Sequence, residues 1–579
     1  MKKSLFLILT LISMYLSSCT TKPKEASIES SNADSLVLAE SSQAVVTRVK
    51  EAVTLFNVEG DKAFEAFRKS DSPWRKGDDY IFVLDSDGNM LVHTDTALEG
   101  KNVMGLMDVG GKPIIKGLLQ TAKESVKGQG RWYHYQWNTP GGLFPRWKSS
   151  FVMPVTSTSG KQYVIGSGIY TDRMEREFVV DLVQGAAQEI NAKGESAFAI
   201  LRDHTGPYLA KDAYVMVFSM DGIDLVNPAF PDLEGRVVTD LKDVNGKPLV
   251  REMFKVLKEK GSGWVDYMWP KPGQSAPTTK STYIAKASHN GKEYLVGCGV
   301  YLADAPVSAK NPNVLTAAAL VKLVDEAATV LAQKGETAYP EFRTKGSKWF
   351  RDNTYFFVWS SDGIRKFHAA NPELEGQDVK QYTDAIGRPV GQMMLDAGNS
   401  TSGSGWVHYF HAEPGSYFPI WKSSYVKQVK FPSGKSFIVG CGVYNMDMDQ
   451  TMIEDLVERA AVLVEKKGKA AFPEMRNHKG PFVFMDTYIF MVSTDGTELF
   501  NAVLPTLEGK NNIDLKDLKG KSLVRDEIAL ALKEGKGWLD GYWYRPGDDQ
   551  PALKRTYIRK VKCDGKICVI GSGYYPHTE

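Results

Sequence analysis

The chain has 579 residues, 42% hydrophobic and 24% charged, with 71 basic and 69 acidic side chains and a formal net charge of +2. That length exceeds a single hydrophobic core and predicts several domains. Near-neutrality without a Lys/Arg run excludes a broad nucleic-acid surface.

Residues 1–18 read as an export signal. Lys2 and Lys3 precede an apolar run from Leu5 to Leu16, too short to span a bilayer. The run ends in Leu16-Ser17-Ser18-Cys19, which resembles a bacterial lipobox. The resemblance implies cleavage before Cys19 and lipidation of its thiol, with palmitate among the acyl groups. Thr20 follows where Asp would signal inner-membrane retention. Residues 19–42 are Ser/Thr/Lys/Glu-rich and read as a flexible tether. No later segment has enough uninterrupted apolar residues to cross a membrane. The expectation is a protein of the bacterial cell envelope, held to a membrane by its N-terminal lipid at the outer membrane, the periplasmic face or the cell surface.

From there one pattern occurs four times, and the intervals read as domains at 43–173, 174–304, 314–447 and 448–579, with a Pro-bearing linker at 305–313. Each copy opens on a long helical pattern. In the second, Phe178, Leu182, Val183, Ala186, Ala187 and Ile190 follow helical spacing; in the fourth, Ile453, Leu456, Val457, Ala460, Ala461 and Val464 do so. A glycine breaks the run, and a short helix follows, ending at Arg68, Arg202, Arg343 or Arg476. These arginines read as caps of carbonyls or partners of acids. A strand led by Tyr80, Tyr214, Tyr355 or Tyr488 closes on Asp-Gly, a hairpin-turn signal. A return strand, a Leu-Glu-Gly segment and a short helix come next. Three strands finish the copy, opening on Trp132, Trp264, Trp406 or Trp538 and closing on Tyr170, Tyr301, Tyr444 or Tyr575. The unit is α+β, a long N-terminal helix against an antiparallel sheet of five to six strands.

The Pro-x-Leu-Glu-Gly segments from Pro231 and Pro372, the Asp243 to Lys247 turn, the block from Gly263 to Gly273, the Lys-x-x-Tyr strand and the Gly-x-Gly-x-Tyr ending resemble the single Cache domain of the second type. The likeness covers nearly all of residues 43–579, though the first copy has Thr96-Ala97 where others carry the proline. The resemblance implies four tandem PAS-like domains and extracytoplasmic sensing of small organic acids or amines, held over one sheet face. It also implies an envelope partner, sensor or transport protein, to which binding is reported. The competing expectation is a structural or adhesive lipoprotein whose Cache-like beads no longer bind.

The copies alternate. Five residues after the Asp-Gly glycine stand His93 and His368 in the odd copies, Asn227 and Asn501 in the even ones. Two residues after the block tryptophan stand His134 and His408, against Asp266 and Asp540. Odd copies share Phe-Pro-x-Trp-Lys-Ser-Ser; even copies share His-x-Gly-Pro at His204 and His478. Residues i and i+2 of a strand share a face, so Trp132 lies beside His134 and Trp264 beside Asp266. If that face lines the pocket, odd sites offer imidazoles to a carboxylate or carbonyl and even sites a carboxylate to an ammonium. Lys148, Lys280, Lys422 and Lys554 would bind an anion. If the face packs on the long helix instead, the histidines are core residues. The candidate ligand-binding set is therefore His93, Trp132, His134, Lys148, Asn227, Trp264, Asp266, Lys280, His368, Trp406, His408, Lys422, Asn501, Trp538, Asp540 and Lys554.

Cys298 and Cys441 read as small buried strand residues, since Ser167 and Ser572 replace them in the sister copies. Cys563 and Cys568 flank Asp564-Gly565 and, in an exported protein, could close a short cross-strand disulfide, subject to register. No metal is expected, because neither His93 with His134 nor His368 with His408 and His411 sets the three ligands at correlated spacing, with an acid, that zinc catalysis needs. The Asp85 turn lacks the closing Glu of a calcium loop, and Gly166-Ser167-Gly168 is too short for a dinucleotide fingerprint. No nucleophile-base set recurs, so no catalytic residue and no cofactor are expected.

Overall fold

The computed structural model describes residues 28–125, 129–140, 145–171, 173–303, 315–546 and 550–576, with side chains from Ser42 onward. Cys19, the signal segment and the expected linker at 305–313 lie outside the described residues.

Every copy builds one antiparallel sheet with the same strand order: return, first, last, middle, opening. In the fourth copy these are Glu498–Asn501, Phe490–Ser493, Lys566–Tyr574, Pro551–Cys563 and Lys536–Tyr544. Two of the four sheets add a sixth short strand. The long helices are Ile28–Glu59, Arg176–Lys193, Ala317–Lys334 and Gln450–Lys467. The first begins well inside the stretch read as a tether at 19–42. Ala33, Leu36, Leu38, Ala39 and Glu40 are strong helix formers, and they outweigh the serines between them.

The helical spacing has its physical cause in burial. Ile453, Leu456, Val457, Ala460, Ala461 and Val464 are fully buried against Ile489, Met491 and Ile570 of the sheet. Each long helix stops at a glycine, Gly60, Gly194, Gly335 or Gly468, with φ between 56° and 61°. A Cβ at Gly468 would also lie 1.8 Å from Asp564 Oδ1, so the strand turn leaves no room for one. The other face of the sheet carries the second, shorter helix, Leu523–Glu534 in the fourth copy, over Phe490, Val492, Ile558 and Val569.

The arginine ending the short helix ties the return strand. Arg476 donates to Asn501 O (2.9 Å) and pairs with Glu508 of the Leu-Glu-Gly segment (2.5 Å), while Glu508 accepts from Asn501 N (2.8 Å). Arg202 with Glu234 and Arg343 with Glu375 repeat the arrangement. The carboxylate after that segment, Asp517 in the fourth copy, accepts from Lys519 N and Lys521 N and reaches Tyr542 N at 3.0 Å. It pins the loop to the opening strand.

Odd and even copies dock as neighbours. Lys112 Nζ donates to Leu209 O (2.9 Å), and Arg388 donates to His478 O, Val483 O and Gly480 O at 3.1, 2.9 and 2.5 Å. The His-x-Gly-Pro segment of the fourth copy thus presents carbonyls to a buried cation of the third. Between the pairs, Phe418 of the third copy inserts at the second, with ring centroids 5.5 Å from Phe230 and 5.0 Å from Trp269.

The disulfide expectation fails. Cys563 lies opposite Lys566 and Cys568 opposite Val561, and both thiols are free. The two are diagonal neighbours, about 7–8 Å apart, beyond the usual Cα separation of a disulfide. Cys298 and Cys441 are fully buried, as their strand reading implies.

Candidate functional site

Strand alternation divides the predicted site residues between two faces. Trp132, His134, Trp264, Asp266, Trp406, His408, Trp538 and Asp540 lie on the long-helix face. Trp132 and His134 meet Phe178, at centroid distances of 4.7 and 5.1 Å, on the long helix of the next copy. His408 stacks on Phe484 of the fourth copy at 4.0 Å. Both imidazoles are held by a cross-strand serine, Ser149 at 2.8 Å and Ser423 at 2.9 Å. Asp266 accepts from Ser281 at 2.5 Å, and Trp264 lies under the Arg176 guanidinium. Trp538 Nε1 donates to Glu454, and Asp540 pairs with Arg555. The pocket placement expected for these eight residues is therefore wrong. Residues i and i+2 do share a face, but it is the long-helix face, packed on the next copy in the odd domains and on the domain's own helix and sheet in the even ones.

The remaining eight converge on the opposite face. Lys148 donates to Tyr80 OH (2.6 Å), Lys280 to Tyr214 OH (2.6 Å) and Lys422 to Tyr355 OH (2.8 Å), each ammonium also lying about 4 Å from that ring's centroid. His93 and His368 contact the same tyrosines, at 5.1 and 5.0 Å. Burial and the neighbouring lysine lower both imidazoles to about 3, so they are neutral. Asn227 donates to Asp224 and Asn501 to Glu498, at 2.8 and 2.9 Å. Burial lowers Lys280 to about 7 and raises Asp224 to about 8.

On this face three copies set a buried tyrosine beside the lysine. Tyr135, Tyr267 and Tyr409 are buried and meet Ser150, Thr282 and Ser424 at 3.0, 2.9 and 3.1 Å. The fourth copy has Gly541 at the matching position, opposite Lys554. A cavity of about 60 Å³ opens there. Tyr488, Phe490, Leu539 and Trp543 form apolar walls, and Asn501, Thr556, Lys554, Glu498 and Glu527 supply polar groups. Such a mixture, mostly apolar with a few convergent polar groups, is that of a small-molecule site.

Lys554 lies 4.1 Å above the Tyr488 ring and, unlike its three sisters, has no hydrogen-bond partner among the described residues. Glu527 projects from the shorter helix, 8% exposed, where the sister copies have Leu118, Met253 and Met394. Its carboxyl has no hydrogen-bond partner among the described residues. Burial, then the charge of Glu498, raises it to about 8; burial raises Glu498 to about 7. Sequence reasoning missed Tyr488, Glu498, Glu527 and Gly541. The signal was present: three tyrosines against one glycine, and three apolar residues against one glutamate. Among the described residues no group of three or more His, Cys, Asp or Glu is arranged to hold a metal ion.

Two family models match the chain. The Single Cache domain 2 model matches residues 181–311 and 314–458, and the Cache domain model matches 46–175 and 475–577. The methyl-accepting chemotaxis protein McpP of Pseudomonas putida is 32% identical over 110 residues, 19% of this chain and 20% of that protein. The sensor histidine kinase MctS of Rhizobium johnstonii is 32% identical over 127 residues, 22% of this chain and 25% of that protein. The matches thus span a quarter or less of those relatives' length. A solved Cache chemosensory domain described for carboxylic acid recognition is 28% identical, covering 22% of this chain and 92% of that one, with a TM-score of 0.20.

Proposed function

As this chain is a tandem array of Cache domains, we propose that it is an extracytoplasmic small-molecule sensor whose fourth domain is the binding unit. The observation that carries this is the Gly541 cavity, with Lys554 and Glu527 turned into it and no side chain filling it. The first three domains serve as rigid spacers, because Tyr135, Tyr267 and Tyr409 occupy the equivalent space. In this sense the structural reading of the array applies to three domains and the binding reading to one. Binding, without turnover, is the activity inferred. The ligand is a small organic acid or amine, and occupancy is reported to another envelope protein.

The lipobox-like segment supports attachment of the mature chain at Cys19, which places the sensor on a membrane surface. Acyl labelling of the expressed protein, lost in Cys19→Ala, tests that part alone.

Thermal-shift and calorimetric titration of the mature chain against amino acids, amines and short carboxylates tests the site. A ligand that binds the native state raises its stability by mass action. Gly541→Tyr, which restores the sister residue, removes that response. Absence of any ligand response, or a response undiminished in Gly541→Tyr, refutes the assignment.

A further inference from the structure

A second and larger cavity, about 340 Å³, lies where three domains meet. Lys112 and Trp147 come to it from the first domain, His204 from the second, and His478 and Thr487 from the fourth. No single domain forms it, so an isolated Cache domain has no counterpart. Two buried polar groups on its wall are short of partners. Lys112 is 4% exposed, and Leu209 O is its one hydrogen-bond acceptor among the described residues. Burial lowers its ammonium to about 8, against the opposing pull of Asp108 and Asp203. Both carboxylates are committed elsewhere: Asp108 accepts from the backbone N–H groups of Gly110, Lys112 and Gln136, and Asp203 accepts from Thr205. Thr487 is 1% exposed, and its hydroxyl has no hydrogen-bond partner among the described residues.

The joint between the third and fourth domains shows the same position saturated. Arg388, the sister of Lys112, donates to three carbonyls, His478 O, Val483 O and Gly480 O. Lys112 reaches only Leu209 O, the sister of Val483 O. One cation is therefore fully answered by its neighbour and the other is not. A buried cation short of acceptors costs free energy, which a ligand carrying the missing acceptors would offset.

We propose that this junction is a second ligand site and that it takes a small organic anion. The charge seats on Lys112 and the Thr487 hydroxyl, and the carbon body lies against Trp147, Val483 and Leu504. Among the described residues three cations, Lys112, Lys211 and Arg545, line the cavity against one carboxylate, Asp108. An amine would meet those cations with no uncommitted carboxylate to pair it. His204 and His478 are both lowered by burial and nearby cations, His478 to about 4, so they add neutral hydrogen-bonding groups to the wall. Tyr488 lines this cavity and the Gly541 cavity alike, so the two sites are neighbours. The junction site does not depend on the fourth-domain cavity binding anything.

The test is calorimetry of the full mature chain at pH 7 with benzoate and hexanoate, set against inorganic phosphate and hexylamine. Hydrogen exchange is followed in residues 108–112, 204–211 and 483–488. The expected result is an organic anion that binds about tenfold tighter than phosphate or hexylamine and slows exchange in all three segments together. Gly541→Tyr should leave that binding unchanged, which separates it from the fourth-domain site. Thr487→Val keeps the shape of the side chain, removes its hydroxyl and should weaken binding about fivefold; Lys112→Met should weaken it about tenfold. Where Lys112→Met also loosens the joint between the first two domains, Thr487→Val still reports on the site. Protection confined to the fourth domain, or binding that is lost in Gly541→Tyr and unchanged in Thr487→Val, overturns the assignment. Phosphate or hexylamine binding as tightly as both organic anions overturns it, and so does the absence of binding by any probe.

Discussion

Replacing Glu527 by methionine, the residue at the equivalent position of the second and third domains, should stabilise the ligand-free protein, and more so as pH rises. Burial and Glu498 raise this carboxyl from its ordinary 4.5 to about 8. The folded chain therefore binds the proton more tightly than the unfolded chain does. Stability is full below about pH 4.5 and is lost as pH rises towards about 8. At 1.36 kcal/mol per pH unit, the penalty is roughly 1 kcal/mol at pH 5.5 and roughly 4 kcal/mol at pH 8.5. Methionine carries no such penalty, so its advantage should grow by about 3 kcal/mol between those two pH values. For a unit of this size that is an increment of roughly 10 °C in Tm. Differential scanning calorimetry at pH 5.5 and 8.5, on wild type and Glu527→Met without ligand, gives the number directly. An advantage that is equal at both pH values, or larger at the lower one, refutes the buried, unpaired carboxyl.

Acid should act in the opposite direction in the first domain. Burial lowers both His93 and His134 to about 3, so each contributes stability above pH 6.5 that is lost as pH falls through the window down to about 3. Each histidine adds a slope of about 1.4 kcal/mol per pH unit, and thermal unfolding between pH 7 and 5 should be less steep in His134→Asn. Arg388→Met deletes three hydrogen bonds to the fourth domain and should cost about 3 kcal/mol, read as faster hydrogen exchange in residues 478–484. Thiol titration of the denatured protein without reductant should count Cys563 and Cys568 as free, and reductant should leave Tm unchanged.

The sheet and the long helix were legible because both are periodic. Ile453 through Val464 repeat at helical spacing for the same reason that they are fully buried. The tyrosine-led strand and the Asp-Gly turn were equally direct. The site was half legible. Lys554 and Asn501 were found because their positions vary or recur in a pattern across the copies. Trp132 and His134 were misplaced because alternation says which residues share a face, not which face meets solvent, helix or ligand. That choice is made by Phe178 and Phe484, which arrive from the next copy in sequence. Gly541 and Glu527 were overlooked because attention to what recurs passes over what occurs once. The disulfide failed on a two-residue offset that composition around the turn does not report.

The opening strand of each copy carries two independent messages at alternate positions. Residues 538 and 540 face the long helix, where Trp538 donates to Glu454; residues 539, 541 and 543 face the other way and shape the cavity. Because adjacent residues never share a face, either message can be rewritten without disturbing the other. A lineage could thus retire three of four receptors into scaffolding by single tyrosines, with no change in how the array is joined. By the same token, a glycine placed at 135, 267 or 409 is the shortest route back to a receptor.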